Sequence, residues 1–209
     1  MPQCNYVLLL HPFLLFLTQI LIDMISLEKK KPLNLSKSAP GLSKIRVVLS
    51  WDESNIGGAS PDCDASVFML GSNGKIPDES YFVFFNNLQS GDGSVQHTGD
   101  NRTGAGDGDD ESINIDLARV SPNIEQLLFA ITIHNMSDGF HFGNVTNASV
   151  RVYNAGNGST ICEYRLSENY PNFDAMNIGR CYRNGAEWEF EGMGQAYAGG
   201  LQAAVDLYA

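Results

Sequence analysis

The chain of 209 residues holds only 13 Lys and Arg against 24 Asp and Glu, a formal net charge of −11. A nucleic-acid-binding surface is built from clustered Lys and Arg, so this balance argues against one and makes cations the natural partners. Cysteine is also sparse. Cys4, Cys63, Cys162 and Cys181 are widely spaced with no CxxC pair, which excludes a zinc knuckle and a dithiol redox motif. They read as isolated small apolar residues in a reducing compartment. No long amphipathic helical pattern, repeat array or inter-domain linker follows Met24, and neither HExxH, a nucleophile elbow nor a Cys–His pattern is present.

What is abundant is acid and glycine in one place. Gly99 to Glu111, GDNRTGAGDGDDE, gathers Asp100, Asp107, Asp109, Asp110 and Glu111 around glycines 99, 104, 106 and 108. Two carboxylates 4 Å apart repel by ~1 kcal/mol in water and ~4 kcal/mol at an effective dielectric of 20. Several crowded together need a cation to order them. Ca²⁺ takes about six to eight oxygen ligands at roughly 2.3–2.6 Å, and oxygen is what this segment offers; zinc or copper would want the His and Cys it lacks. Glycines allow positive φ, so successive carboxylates can turn toward one centre. A solvated acidic turn is the alternative reading of such a run.

Other glycine-and-acid motifs fit poorly. An EF-hand begun at Asp100 would place Arg102, Gly104 and Ala105 where acids and the invariant glycine belong. GAGDGD occurs once, and one copy cannot stack as a calcium-binding nonapeptide repeat. A phosphate cradle would be repelled by five carboxylates. Asp62 and Asp64, in SPDCDASVF, lie two apart at the mouth of a strand, so their side chains share a side. They are expected to share a cation site with the acidic loop.

Short β-branched and aromatic runs between turn residues predict strands at Ile45–Trp51, Ala65–Leu70, Tyr81–Phe85, Ser112–Leu117, Leu127–Ile133, Ala148–Tyr153, Ile161–Leu166, Ile178–Arg183 and Trp188–Gly194. The fold class expected is all-β, an antiparallel two-sheet β-sandwich or barrel, with a short terminal helix over Leu201–Tyr208 and one helical turn at Ser121-Pro122-Asn123. Loops of a sandwich collect at its ends, where the acidic segment belongs. Ile113, Ile115 and Leu117 alternate with Asn114 and Asp116, the pattern of a strand with one buried face.

Residues 1–23 differ from the rest. Val7 to Ile22 is strongly apolar but interrupted by His11, Pro12, Thr18 and Gln19, and is shorter than the roughly 20 residues that span a bilayer. No Lys or Arg precedes it and no small-residue cleavage site follows, which counts against a signal peptide. It is read as an upstream extension or early start, with Met24 opening the domain of residues 24–209. A membrane anchor flanked by Lys29, Lys30 and Lys31 is the alternative.

Several segments together resemble the TerD family of tellurium-resistance and stress proteins: DCDASVFML, YFVFFNN, GDGSVQHTGDNRTGAGDGDDE, IDLARV, FAITIHN, FGNVTNASVRVYN, EWEFEGMGQAYAGGL and the MISL…LSKSAPGLSKI start. The likeness runs from Met24 to the C-terminus. It implies a β-sandwich that binds Ca²⁺ in its acidic loops as two neighbouring ions. The implied ligands are Asp62, Asp64, Asp100, Asn101, Asp107, Asp109, Asp110 and Glu111. It also implies a cytoplasmic protein linked to resistance to tellurite and other chemical stress, whose partners are other proteins of that resistance system, a membrane protein among them. Asn135 stands where the family often has an acid, and Cys63 where Leu is common; neither alters a ligand.

These readings favour a Ca²⁺-dependent binding or scaffold module without catalysis. The alternatives are a Ca²⁺-dependent binder of a small nucleotide-like ligand and a metal-assisted hydrolase. A hydrolase would draw on His97, His134 and His141 as acid or base, with Ca²⁺ as electrophile. His97 is expected in an exposed loop, and His134 as a satisfied histidine at the edge of the core. Direct sequestration of tellurite fits neither the acidic surface nor four scattered thiols.

Overall fold

The computed structural model describes residues 24–53, 61–98, 111–134, 139–166 and 170–209. Two six-stranded sheets pack face to face, as alternation along most segments requires. The first takes β1 (Ile25–Ser26), β3 (Lys44–Glu53), β6 (Val95–His97), β7 (Glu111–Asp116), β9 (Val145–Asn154) and β10 (Thr160–Arg165), in the order β1-β10-β9-β3-β7-β6. The second takes β2 (Leu33–Asn34), β4 (Cys63–Leu70), β5 (Phe82–Val83), β8 (Gln126–Ile133), β11 (Ala175–Asn184) and β12 (Glu187–Tyr197), in the order β2-β12-β11-β8-β4-β5. Every pairing is antiparallel except the two-residue parallel contact of β1 with β10. Two α-helices, α1 (Leu35–Ser38) and α2 (Gly200–Tyr208), and two 3₁₀ turns, Glu79–Tyr81 and Phe142–Asn144, complete the described elements.

The core lies between the sheets. Ile45, Val47 and Leu49 of β3 meet Val67 and Met69 of β4, Leu127 and Phe129 of β8 and Phe190 of β12, all essentially inaccessible. β4 is buried along its whole length because its second face is covered too: Phe68 and Leu70 join Leu128, Ala130 and Phe82 beneath α2. A strand buried on both faces reads as an unbroken apolar run, which is why SVFML shows no alternation. α2 is held at its start by Asp174, whose Oδ1 accepts from the amides of Gly199 and Gly200 at 2.8 Å each. Asn177, fully buried, ties its far end, donating to the Tyr208 hydroxyl at 2.7 Å and accepting from Tyr197 at 3.1 Å.

Two local expectations are corrected. Tyr81–Phe85 is not one strand: Glu79–Tyr81 forms a 3₁₀ turn capped by Asp78, and only Phe82–Val83 pairs with β4. Beyond Val83 the chain closes on itself through the Phe84–Asn87 bridge, and the Asn87 amide takes the Phe82 carbonyl at 2.6 Å. Ser121-Pro122-Asn123 forms a tight turn, with the Ile124 amide on the Ser121 carbonyl at 2.9 Å, rather than a helical turn. Arg183 takes the Val120 and Ile124 carbonyls at 3.0 Å each, and Asp92 takes the Ser121 amide at 2.9 Å. Those groups are thereby spent on tertiary partners.

The topology brings particular strand ends together. Registers Leu49↔Glu111, His97↔Ile113, Glu53↔Val145 and Cys63↔Ile133 put the ends of β3, β6 and β8 and the starts of β4, β7 and β9 at one pole. The segment between His97 and Glu111 leaves from and returns to that pole.

Candidate metal site at the acidic pole

Glu111 is the first residue of β7 and carries the parity of Ile113 and Ile115, so it points between the sheets. Its carboxylate crosses to the other sheet. Oε2 accepts from the Ala65 amide of β4 at 2.5 Å. Alternate β4 residues turn their amides away from β8, and β5 reaches only as far as Val67, so this amide lies on an open edge that Glu111 fills. His97 Nε2 stands 3.3 Å from the same oxygen, and both side chains are at most 1 % exposed. Oε1 is buried and has no hydrogen-bond partner. Native structures rarely leave such a group unmet, and a need to bind an ion is one established reason for it.

Asp64, the second residue of β4, is 8 % exposed, and its Oδ2 lies 3.7 Å from His134 Nδ1. Alternation places it on the Phe68 and Leu70 face of β4, while Glu111 comes to the same strand edge from the inter-sheet side. Asp62 precedes the strand, is half-buried, and its carbonyl accepts from the His134 amide at 2.7 Å. Asp64 and Glu111 therefore reach the start of β4 from its two faces, with Asp62 immediately before the strand. Asp100, Asn101, Asp107, Asp109 and Asp110 lie outside the described residues. Among the described residues, no three His, Cys, Asp or Glu side chains form a group able to hold a metal.

The donor set is still chemically apt for a hard cation. It consists of carboxylate oxygens, one of them buried and unmet, at the head of a segment with four further aspartates. When bound, such an ion supplies positive charge and demands several oxygens around it. Asp62, Asp64 and Glu111 are the described residues that would help hold it.

The histidines sit differently from expectation. His97 is not in an exposed loop: it closes β6, shares the inward parity of Val95 and is 2 % exposed. The cue in the sequence is the two-residue spacing Val95–Gln96–His97, obscured by its serine- and glycine-rich flanks. His134 follows β8 as expected, but its side chain is 64 % exposed, set edge-on to Phe85 at 6.0 Å. His141 caps the 3₁₀ turn Phe142–Asn144, accepting from the Gly143 amide at 3.0 Å. The partner that sequence reasoning could not supply is the Ala65 amide, a backbone group with no residue type to announce it.

Cys63, Cys162 and Cys181 are buried thiols, as small apolar residues would be. Burial pushes the Cys162 thiol up to about 12 and that of Cys181 higher still, so both stay protonated at neutral pH. At the opposite pole, a cavity of about 470 Å³ is lined by Leu42, Leu117, Val120, Arg183 and Trp188. Arg183 is pinned there over the Trp188 ring at 4.4 Å. Nothing in that cavity draws on the acidic pole. No helix among the described residues is long and apolar enough to cross a membrane.

The fold and the pole together define a class: a two-sheet β-sandwich whose loop end gathers carboxylates. The chain belongs to the TerD domain family, whose profile matches residues 24–208. It is 44 % identical over 185 residues to the tellurium resistance protein TerD of Serratia marcescens, covering 88 % of this chain and 96 % of that one. It is 43 % identical over 186 residues to general stress protein 16U of Bacillus subtilis strain 168, covering 88 % and 96 %. A crystal structure of a homologue of telluride resistance protein (TerD) from Streptomyces coelicolor A3(2) superposes with a TM-score of 0.62 at 25 % identity, covering 79 % of this chain and 96 % of that one.

Proposed function

We propose that this protein is a calcium-binding stress-response protein associated with tellurite resistance, acting as a Ca²⁺-dependent binding or scaffold module. The observation that carries this is the buried, unmet Oε1 of Glu111, the residue that ends a segment with four aspartates. A carboxylate taken out of water is costly unless a counter-charge meets it. Two Ca²⁺ ions among Asp62, Asp64, Asp100, Asn101, Asp107, Asp109, Asp110 and Glu111 would meet that need. Occupancy would shape the pole as a surface for other proteins of the resistance system, a membrane protein among them, from the cytoplasmic side. Of the three histidines a hydrolase would draw on, His97 is sealed in the core and His141 is occupied as a cap, while His134 is exposed beside Asp64.

Calorimetric titration with Ca²⁺ and Mg²⁺, followed by a calcium-dependent pull-down on the resistance-system proteins, tests this. Saturable Ca²⁺ binding near two equivalents is expected. Mg²⁺ should compete poorly, because it requires a tighter octahedron and keeps its waters. No Ca²⁺ heat, together with a melting temperature indifferent to EDTA, would overturn the proposal.

A further inference from the structure

We infer that His97 is a positioning residue for the cation site: with the Ala65 amide it holds one oxygen of Glu111, so that the other is offered to the ion in a fixed direction. The inference rests on the calcium reading above and adds a residue outside its ligand set. In the register of β6 with β7, His97 faces Ile113, and Glu111 is its diagonal neighbour on the same inward face. The contact is therefore set by strand pairing. Oε2 accepts from the Ala65 N–H at 2.5 Å and has His97 Nε2 beside it at 3.3 Å, a polar contact outside hydrogen-bond geometry, while Oε1 has no hydrogen-bond partner. Such a division leaves one oxygen anchored and one presented.

A glutamate side chain free to rotate would lose several rotamers on binding an ion. Anchoring one oxygen removes that loss beforehand, which is how preorganisation raises affinity. Groups that orient a metal-ligating carboxylate are worth about 10–100-fold in metal affinity in other sites, and the same size of effect is expected here. His97 also joins two elements. It closes β6, two residues before the acidic segment begins at Gly99, and it grips the residue that ends that segment. One contact thereby ties the residue that closes β6 to the one that opens β7.

The test compares His97→Gln, which keeps a side-chain N–H near the position of Nε2, with His97→Leu, which fills the space without a donor. The full chain is used, with Ca²⁺ calorimetry and with thermal melts in EDTA. His97→Leu is expected to weaken Ca²⁺ binding by about 10–100-fold, whereas His97→Gln stays within a few-fold of the unmodified protein. Melts of the two variants in EDTA should be alike. Wild-type affinity in His97→Leu, or equal losses in both variants tracking their EDTA melts, would show a purely structural histidine. A measurement on the unmodified protein stands whether or not the variants fold: the carboxyl carbon of Glu111 and the ring nitrogens of His97 should shift together when Ca²⁺ is added. Resonances of His97 unmoved at saturating Ca²⁺ would overturn the positioning role while leaving the calcium reading intact. No Ca²⁺ binding by the unmodified protein would end both.

Discussion

Glu111→Gln separates a structural hydrogen bond from an ion ligand. Glutamine keeps the length of the side chain and an oxygen that can accept from Ala65 at the β4 edge. Without metal, the variant trades a charge-assisted bond of about 1.5–3 kcal/mol for a neutral one of about 0.5–1.5 kcal/mol. At the other position it exchanges a buried, unmet charged oxygen for an unmet neutral NH₂, which lowers that penalty toward the about 1–3 kcal/mol of a neutral group. These contributions oppose one another, so in EDTA the two proteins should melt within a few degrees. Ca²⁺ at 100 times the dissociation constant stabilises the unmodified protein by about 2.7 kcal/mol. In a domain of this size each kcal/mol moves the melting temperature by about 2–4 °C, so the gain is about 5–11 °C. If the variant binds a hundredfold more weakly, the same Ca²⁺ concentration stabilises it by only about 0.4 kcal/mol. Calorimetric melts of both proteins in EDTA and in Ca²⁺ give the four temperatures required. A gap that opens only with Ca²⁺ supports ligation, while the same gap in both buffers would refute it and leave Glu111 as a strand-edge cap.

Three further outcomes are expected. Asp64→Asn should weaken Ca²⁺ binding about tenfold, the equivalent of about 1.4 kcal/mol, whereas Asp78→Asn, at an exposed 3₁₀ cap whose amide oxygen can still accept from Ser80, should leave affinity unchanged; equal losses by calorimetry would mean that bulk charge attracts the ion. Burial opposes ionisation of Asp92, but hydrogen bonds from Ser94, Ser121 and Ser90 outweigh it and hold its carboxyl below the ordinary range. Its contribution to stability is therefore complete above the unfolded-state value of about 3.9 and fades as pH falls below that toward the folded value. The difference in urea midpoint between wild type and Asp92→Asn should narrow over that acid interval, and a pH-independent difference would contradict the assignment. Gly192→Ala should cost about 1–3 kcal/mol by overpacking, since a Cβ there would press into the Tyr164 ring; urea unfolding with a cost below 0.5 kcal/mol, the range of ordinary surface changes, would show that the ring moves aside.

The long strands were legible because burial on one face writes itself as alternation. Ile113 and Ile115 predicted β7 in this way, and both are in the core. Short elements were not legible. β1, β2 and β5 have two residues each, too few for any period, and exist because a neighbouring strand offers free backbone groups. β6 is three residues with a histidine on its buried side, and histidine carries no apolar mark. The turn at Ser121 was misjudged because its carbonyls and amide are spent on Arg183 and Asp92, 62 and 29 residues from Ser121 in the chain.

By itself the sequence determined the class of the fold and the acid-and-glycine composition of one segment, because residue type fixes charge, donor atoms and backbone freedom. Tertiary structure decided which pole Glu111 occupies and which backbone group meets it. Glu111 reaches Ala65 only because β7 and β4 belong to different sheets whose ends coincide, and their 46-residue separation is invisible to any local rule. His97 changed from a predicted surface residue to a buried contact of Glu111 for the same reason: strand register, set by pairing across the whole sheet, selects which side chains meet.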